Sequence, residues 1–187
     1  MNPLHIEALE PAGFAAFLLY LNDHLSDNGR DGTAYFQPLS RDDSRFPADK
    51  AEAFKAGMAT EVGMAGWRRV WVARDGEGRI AGHIDLRAHA ERHTGHRCLL
   101  GMGVDREHRK QGLGNRLIAH AAQWAQESAG LKWIDLQVLS VNAPAIKLYE
   151  RNGFQKTGEI AAMFNIDGQD FAYTSMSKYL ANAWPNK

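Results

Sequence analysis

The chain has 187 residues and balances 22 Lys plus Arg against 22 Asp plus Glu, so no global field recruits nucleic acid or an anionic membrane, and any charge effect must be local. A single cysteine, Cys98, excludes an intramolecular disulfide, suits a reducing compartment and reads as a small buried hydrophobe beside an apolar strand. The length fits one domain, expected over 1–180 with a frayed tail at 181–187; with no signal-peptide pattern at the start and no apolar run of about 20 residues, a soluble cytoplasmic protein is expected.

Leu4, Ile6 and Ala8 alternate with polar neighbours, which predicts a strand over 3–8. Phe14, Phe17, Leu18 and Leu21 then share one face of a helix after Pro11, stopped by the polar, glycine-containing stretch 26–32. Residues 33–47 carry neither period, but hold prolines, aromatics and acids. They predict an irregular loop able to touch a substrate, with Asp42, Asp43, Tyr35, Phe36 and, further on, Trp67 as side chains that could receive a cation. A second helix is expected from Ala48 to about Glu61. Strands over 69–73 and 80–86 flank the turn Asp75-Gly76-Glu77-Gly78 as an antiparallel hairpin. The polar segment 89–96 leads into an apolar strand over 99–104. His89 and His93 within it have a metal-like spacing, but no third ligand is evident, and no metal is expected.

Beyond Val104 the chain turns basic and glycine-containing, and Leu113, Leu117, Ile118, Ala121 and Trp124 recur at helical spacing over 111–128. Glycines at 112 and 114 let a ligand approach the backbone, the unpaired amides of the first helical turn point at it, and Arg109 and Lys110 add positive charge. A phosphate or pyrophosphate is the natural guest. Residues 133–139 alternate as a strand, a helix follows Asn142 and stops at Asn152-Gly153, and two strands over 154–165 and 170–178 flank Asp167-Gly168, a strong hairpin signal. The order is an α+β pattern of antiparallel hairpins around one central βαβ unit, whose strands run parallel through a right-handed crossover.

Neither a Gly-x-Gly-x-x-Gly fingerprint nor a Gly-Lys-Ser/Thr loop is present. Arg109-x-x-Gly112-x-Gly114, following a strand, instead resembles the Arg/Gln-x-x-Gly-x-Gly/Ala motif by which the GNAT superfamily of N-acetyltransferases holds the pyrophosphate of acetyl-CoA. About thirty residues on, Asn142, Ala145, Tyr149, Gly153 and Phe154 fall in place of that family's Asn-x-x-Ala-x-x-x-Tyr-x-x-x-Gly-Phe segment. The resemblance implies a mixed, mostly antiparallel sheet with helices on both faces and a splayed parallel strand pair in whose opening the pantetheine arm lies. It also implies acetyl-CoA as acetyl donor. Met102, Gly103 and Val104 would contact the pantetheine, and Arg109, Lys110, Gln111, Gly112, Leu113, Gly114 and Asn115 the pyrophosphate. Asn142 would hydrogen-bond the cofactor, although its place ahead of Pro144 equally suits a helix cap.

Acetyl transfer from a thioester to an amine needs a neutral amine, donors for the developing oxyanion and a proton for the departing sulfur. By resemblance Tyr149 supplies that proton. Some relatives carry a glutamate as base five residues before the motif asparagine, but here the position holds Gln137, which cannot accept a proton. His83, Asp85, His108, Glu61 or a chain of waters is left for the task. Arg106 stands where many members have proline. The implied function is direct acetyl transfer, through a ternary complex, to a primary amine of a small molecule or a peptide N-terminus, with a homodimer allowed for. A non-catalytic acyl-CoA sensor of the same fold is the alternative.

Overall fold

A computed structural model describes residues 4–181. The seven strands are β1 (His5–Ala8), β2 (Arg68–Arg74), β3 (Ile80–Arg87), β4 (Arg97–Val104), β5 (Trp133–Leu139), β6 (Gln155–Ile166) and β7 (Gln169–Tyr179). The helices are α1 (Phe14–Leu25), α2 (Ala48–Ala59), α3 (Leu113–Glu127) and α4 (Ala143–Arg151). Two strands start ahead of their expected limits, β2 at Arg68 and β4 at Arg97, because ladder bonds carry a strand past its apolar run. Conversely, α3 starts at Leu113, since Gly112 takes a left-handed φ of 81° that interrupts helical backbone before it. The expected tail at 181–187 falls, apart from Ala181, outside the described residues.

All seven strands form one sheet in the order β1-β2-β3-β4-β5-β7-β6, antiparallel except for the β4–β5 pair. Period-two alternation along β2 sorts its side chains. Val70 and Val72 pack with Phe14, Phe17 and Phe54 of α1 and α2, whereas Trp71 and Ala73 belong to the larger core under α3 and α4. Leu113, Leu117, Ile118, Ala121 and Ala125 form the buried stripe of α3, at the predicted helical spacing. The loop at 33–47 is tied to the β6–β7 turn, where Asp167 accepts hydrogen bonds from the Tyr35 hydroxyl and from Arg41.

The parallel ladder joins only Arg97, Cys98 and Leu99 to Trp133, Ile134 and Asp135, and beyond it the two strands separate. Asp135 closes the joined end. It accepts a hydrogen bond from Arg97 Nε at 2.7 Å and a second from the Nη2 of the same guanidinium, one from Ser177 at 2.6 Å, and it contacts His89 Nε2 at 2.9 Å. Burial alone would raise its carboxyl pKa, but the hydrogen bonds from Arg97, Ser177 and His89 outweigh burial and hold it below the usual range. Asp135→Asn keeps the shape and removes the charge, and is expected to cost about 1–3 kcal/mol at neutral pH. Because the native carboxyl titrates below its unfolded value of about 3.9, this contribution is present above that pH and fades as pH falls through the native pKa. Urea unfolding of both proteins at neutral pH and near pH ~3 measures the gap; a gap that does not shrink in acid would remove the charge from the account.

Candidate active site

The separation of β4 from β5 opens a cleft of about 1460 Å³ running from the N-terminus of α3 to the ends of β2 and β3. Its walls include strand backbone. Asp105 N donates to Ala81 O, and antiparallel ladder bonds alternate, so Gly101 and Gly103 turn their amides and carbonyls toward β3. Met102 and Val104 turn theirs toward β5, where the parallel ladder has already ended. The Val104 carbonyl accepts from Arg109 Nε at 3.1 Å, which leaves Met102 with both backbone groups facing the gap. By the same alternation, Ser140 N donating to Ala172 O turns the backbone of Gln137 toward the gap from the other side.

At the α3 end, Lys110 and Gly112 both take left-handed φ, 61° and 81°, so the loop curls its amides inward. The first helical bond runs from Arg116 N to Gly112 O, and the amides of Leu113, Gly114 and Asn115 therefore lack intrahelical acceptors. A Cβ built on Gly112 meets nothing within 4 Å, so this glycine serves the turn and borders open space. Gly114 differs, because a Cβ there would stand 2.8 Å from Leu148 Cδ2, and the glycine lets α3 approach α4. Arg109 and Arg106 are both committed to the end of α1 and the turn after it, the former to Asp27 at 2.9 Å, the latter to Asp23 and Asp27 at 3.1 and 3.0 Å. Their charge braces the loop, and Lys110 is the cation left beside the amides.

The second motif forms the opposite wall. Asn142 is the N-cap of α4, its Oδ1 accepting from Ala145 N at 3.3 Å, with Pro144 in the first turn. Both properties anticipated for it coexist, since it caps the helix and lines the cleft. Tyr149 is buried against Phe154, yet also borders the cleft, and among the described residues no hydrogen bond engages its hydroxyl. Burial, with a smaller effect of Tyr173, pushes its pKa well above the ordinary value, so the phenol stays protonated at any working pH.

On the α1–α2 side, the strand backbone of β4 is bare at Gly101 and Gly103, and neighbouring side chains lie across it. A Cβ on Gly103 would meet His24 Nε2 at 2.6 Å and His83 Cε1 at 2.8 Å; one on Gly101 would collide with Asp85 and lie 3.1 Å from Arg87 Nη1. His83 Nδ1 is 3.2 Å from the Tyr20 hydroxyl, which donates weakly to Gly103 O. Burial, then the proximity of His24, lowers His83 to about 3; burial, then Arg109, lowers His24 to about 4. Both are neutral imidazoles at neutral pH, and His24 Nδ1 is buried without a hydrogen-bond partner among the described residues.

Met102, Gly103, Val104, Arg109, Lys110, Gly112, Leu113, Gly114, Asn115, Asn142 and Tyr149 all line this one cleft, as does Gln137. Gln111 does not: its amide turns back to Glu107 O. Leu113 contributes backbone, its side chain being core. Of the residues considered for proton transfer, His83 and Asp85 line the cleft. His108 does so while contacting Asp105 at 3.3 Å, and Glu61 is exposed elsewhere. The loop residues divide. Phe36 and Trp67 reach the cleft, but Tyr35 packs on Phe171, Asp42 pairs with Arg30 and Asp43 accepts from Ser40, so the acids of this loop receive no cation there. His24, Arg68, Arg87 and Tyr173 line the cleft without having been singled out from the sequence. His24 had a signal, continuing the buried stripe Phe17, Leu21 as a polar residue.

Residues 35–154 match the Acetyltransferase (GNAT) family. A streptothricin acetyltransferase of Streptomyces lavendulae is 36% identical over 114 residues, which cover 58% of this chain and 57% of the relative. The catalytic subunit NAA10 of the N-terminal acetyltransferase A complex of Arabidopsis thaliana is 29% identical over 101 residues, covering 54% and 53%. The chain thus spans about half the length of these curated relatives. A GNAT-family acetyltransferase from Streptococcus pneumoniae superposes with a TM-score of 0.77 at 26% identity, covering 95% of this chain and 99% of that one. YncA of Salmonella typhimurium, solved with acetyl-CoA, shares the fold with a TM-score of 0.76 at 19% identity, covering 97% and 96%. The family match runs through the splayed strands, α3 and α4, and on that ground the chain belongs to the GNAT acetyltransferase family.

Proposed function

We propose that this protein moves the acetyl group of acetyl-CoA directly to a primary amine, of a small molecule or a peptide N-terminus, in a ternary complex. The observation that carries the reading is a single cleft bordered by free helix amides, unpaired strand backbone and a protonated tyrosine. The residues fit acetyl-CoA. The curled loop at Lys110 and Gly112 with the open amides of α3 suits a pyrophosphate, and the Met102 amide and carbonyl can pair with an extended amide arm as an added strand would. When bound, acetyl-CoA supplies an activated acetyl thioester.

The chain's own groups handle the protons. In the overall exchange the acetyl C–S bond breaks, a C–N bond forms, the amine loses a proton and the sulfur gains one. Tyr149 is proposed to give the sulfur its proton, since its hydroxyl is protonated and spends no hydrogen bond inside the protein. For the amine's proton a chain of waters leading to solvent is proposed, since glutamine stands at 137 and burial holds His83 and His24 at about 3 and about 4, too weak to take it.

Substitutions at two positions test the reading at its two ends. Gly112→Ala and Gly112→Asp carry the same left-handed strain, roughly 1 kcal/mol, but only aspartate adds negative charge beside the open amides. Calorimetry is expected to show acetyl-CoA binding at least about tenfold weaker for Asp than for Ala, equivalent to about 1.4 kcal/mol. Equal affinities would take the phosphate away from this loop. Tyr149→Phe keeps the ring in place and is expected to lower kcat by about a hundredfold, with acetyl-CoA affinity and melting temperature little changed. Acceptor-dependent thiol release measures it. Preserved turnover would remove Tyr149 from the chemistry, and acetyl-CoA binding with no thiol release for any amine would favour the sensor reading.

A further inference from the structure

The acceptor side of the cleft carries charge that acetyl-CoA does not account for. Arg68 and Arg87 stand directly opposite each other across the β2–β3 ladder, an arrangement of like charges that costs stability in a sheet. Asp85, two residues from Arg87 on the same face, serves both with one oxygen: its Oδ1 lies 3.5 Å from Arg68 Nε and 3.2 Å from Arg87 Nη1. Asp85 is also the sole acidic side chain among the described residues that line the cleft. Two guanidiniums therefore share one carboxylate, in a chain whose total charge is zero.

Neither arginine is an ordinary surface cation. The Arg68 side chain is 18% exposed and lies 3.9 Å from the centre of the Phe54 ring, a desolvated position in which an anionic partner is worth more than in water. The Arg87 side chain is 34% exposed, and the absence of a side chain at Gly101 lets its Nη1 lie over β4 toward the gap. A planar guanidinium presents two parallel donors that match a carboxylate.

We propose that the acetyl acceptor is a zwitterionic small molecule of the α-amino acid type, its carboxylate held by Arg87 with Arg68 behind it and its amine turned toward Gly103. The inference rests on the acetyl-transfer reading above and narrows its acceptor; the bonds made and broken are those given there. The spacing suits such a molecule. Gly101 and Gly103 are about 7 Å apart along the strand. An amine and a carboxylate oxygen on one carbon are about 3–3.5 Å apart by standard bond lengths, and a hydrogen bond to the guanidinium adds about 2.9 Å. A carboxylate on Arg87 thus brings the amine under the neutral His24 and His83. A polycation would instead meet two arginines, and a peptide N-terminus has an amide where the carboxylate is wanted.

The test is acceptor-dependent thiol release by the full chain. A panel of α-amino acids is each compared with its carboxamide and its decarboxylated amine, alongside Arg87→Gln. The expected result is a kcat/KM at least about tenfold higher for the best amino acid than for its two counterparts that lack the carboxylate, as loss of a charge-assisted pair implies. That preference is expected to collapse to within about threefold in Arg87→Gln. The amino acid alone should also raise the melting temperature of the wild-type protein more than its amine does. Equal turnover of acid, amide and amine, or a variant that lowers all three alike, overturns the inference and leaves acetyl transfer standing. Turnover of no acceptor while acetyl-CoA still binds overturns both. The comparison within wild-type protein decides the matter even if the variant does not fold.

Discussion

The contact on which the rest of the molecule depends is the pairing of Asp135 with Arg97 at the closed end of the β4–β5 pair. Two parallel strands that part after three paired residues leave unpaired backbone in the middle of a sheet, a cost that folding ordinarily avoids. The separation is tolerable because it starts from a fixed point. Asp135 gathers Arg97 from β4, Ser177 from β7 and His89 from the β3–β4 connection, so three neighbouring segments are pinned where the strands diverge. Beyond that point α3 and α4 hold the strands apart, meeting at Gly114 against Leu148.

The glycines of β4 make the second half of the design. Side chains at 101 and 103 would point toward α1 and α2 and fill the space that Asp85, Arg87, His83 and His24 now occupy. Leaving those positions bare lets groups rooted on β3 and α1 reach over an intervening strand to the edge of the gap. The chemistry of the cleft is therefore carried by side chains whose anchors lie in the rigid core rather than on loops, and their positions follow from sheet register.

Much of the fold was legible because its determinants are local. The period of α3, the Asp-Gly turn of the β6–β7 hairpin and the left-handed glycine at 153 that stops α4 each follow from a few adjacent residues. Of the residues matched to cofactor contact or catalysis all but Gln111 line one cleft, while Gly153 and Phe154 of the second motif lie outside it. What was not legible depends on partners far apart in the chain. The pairing of Arg109 with Asp27, in the turn after α1, is one such contact. Arg106, at a position where many relatives have proline, ties the same loop to Asp23 of α1 and to Asp27 just after it. His83, Asp85 and Arg87 share one face of β3. Only the register with β2 reveals that Arg68 joins it.

The two histidines leaning over Gly103 make this fold acid-labile. Above about pH 6.5 they are neutral whether the chain is folded or not, and they leave stability unchanged. Below it the unfolded chain takes up two protons that the folded one refuses until pH reaches about 4 at His24 and about 3 at His83. Folded stability therefore falls with pH across that interval, by a few kcal/mol in all, against a whole-domain stability on the order of 5–15 kcal/mol. The burial that keeps these two imidazoles uncharged beside the cleft is thus what makes the fold lose stability in acid.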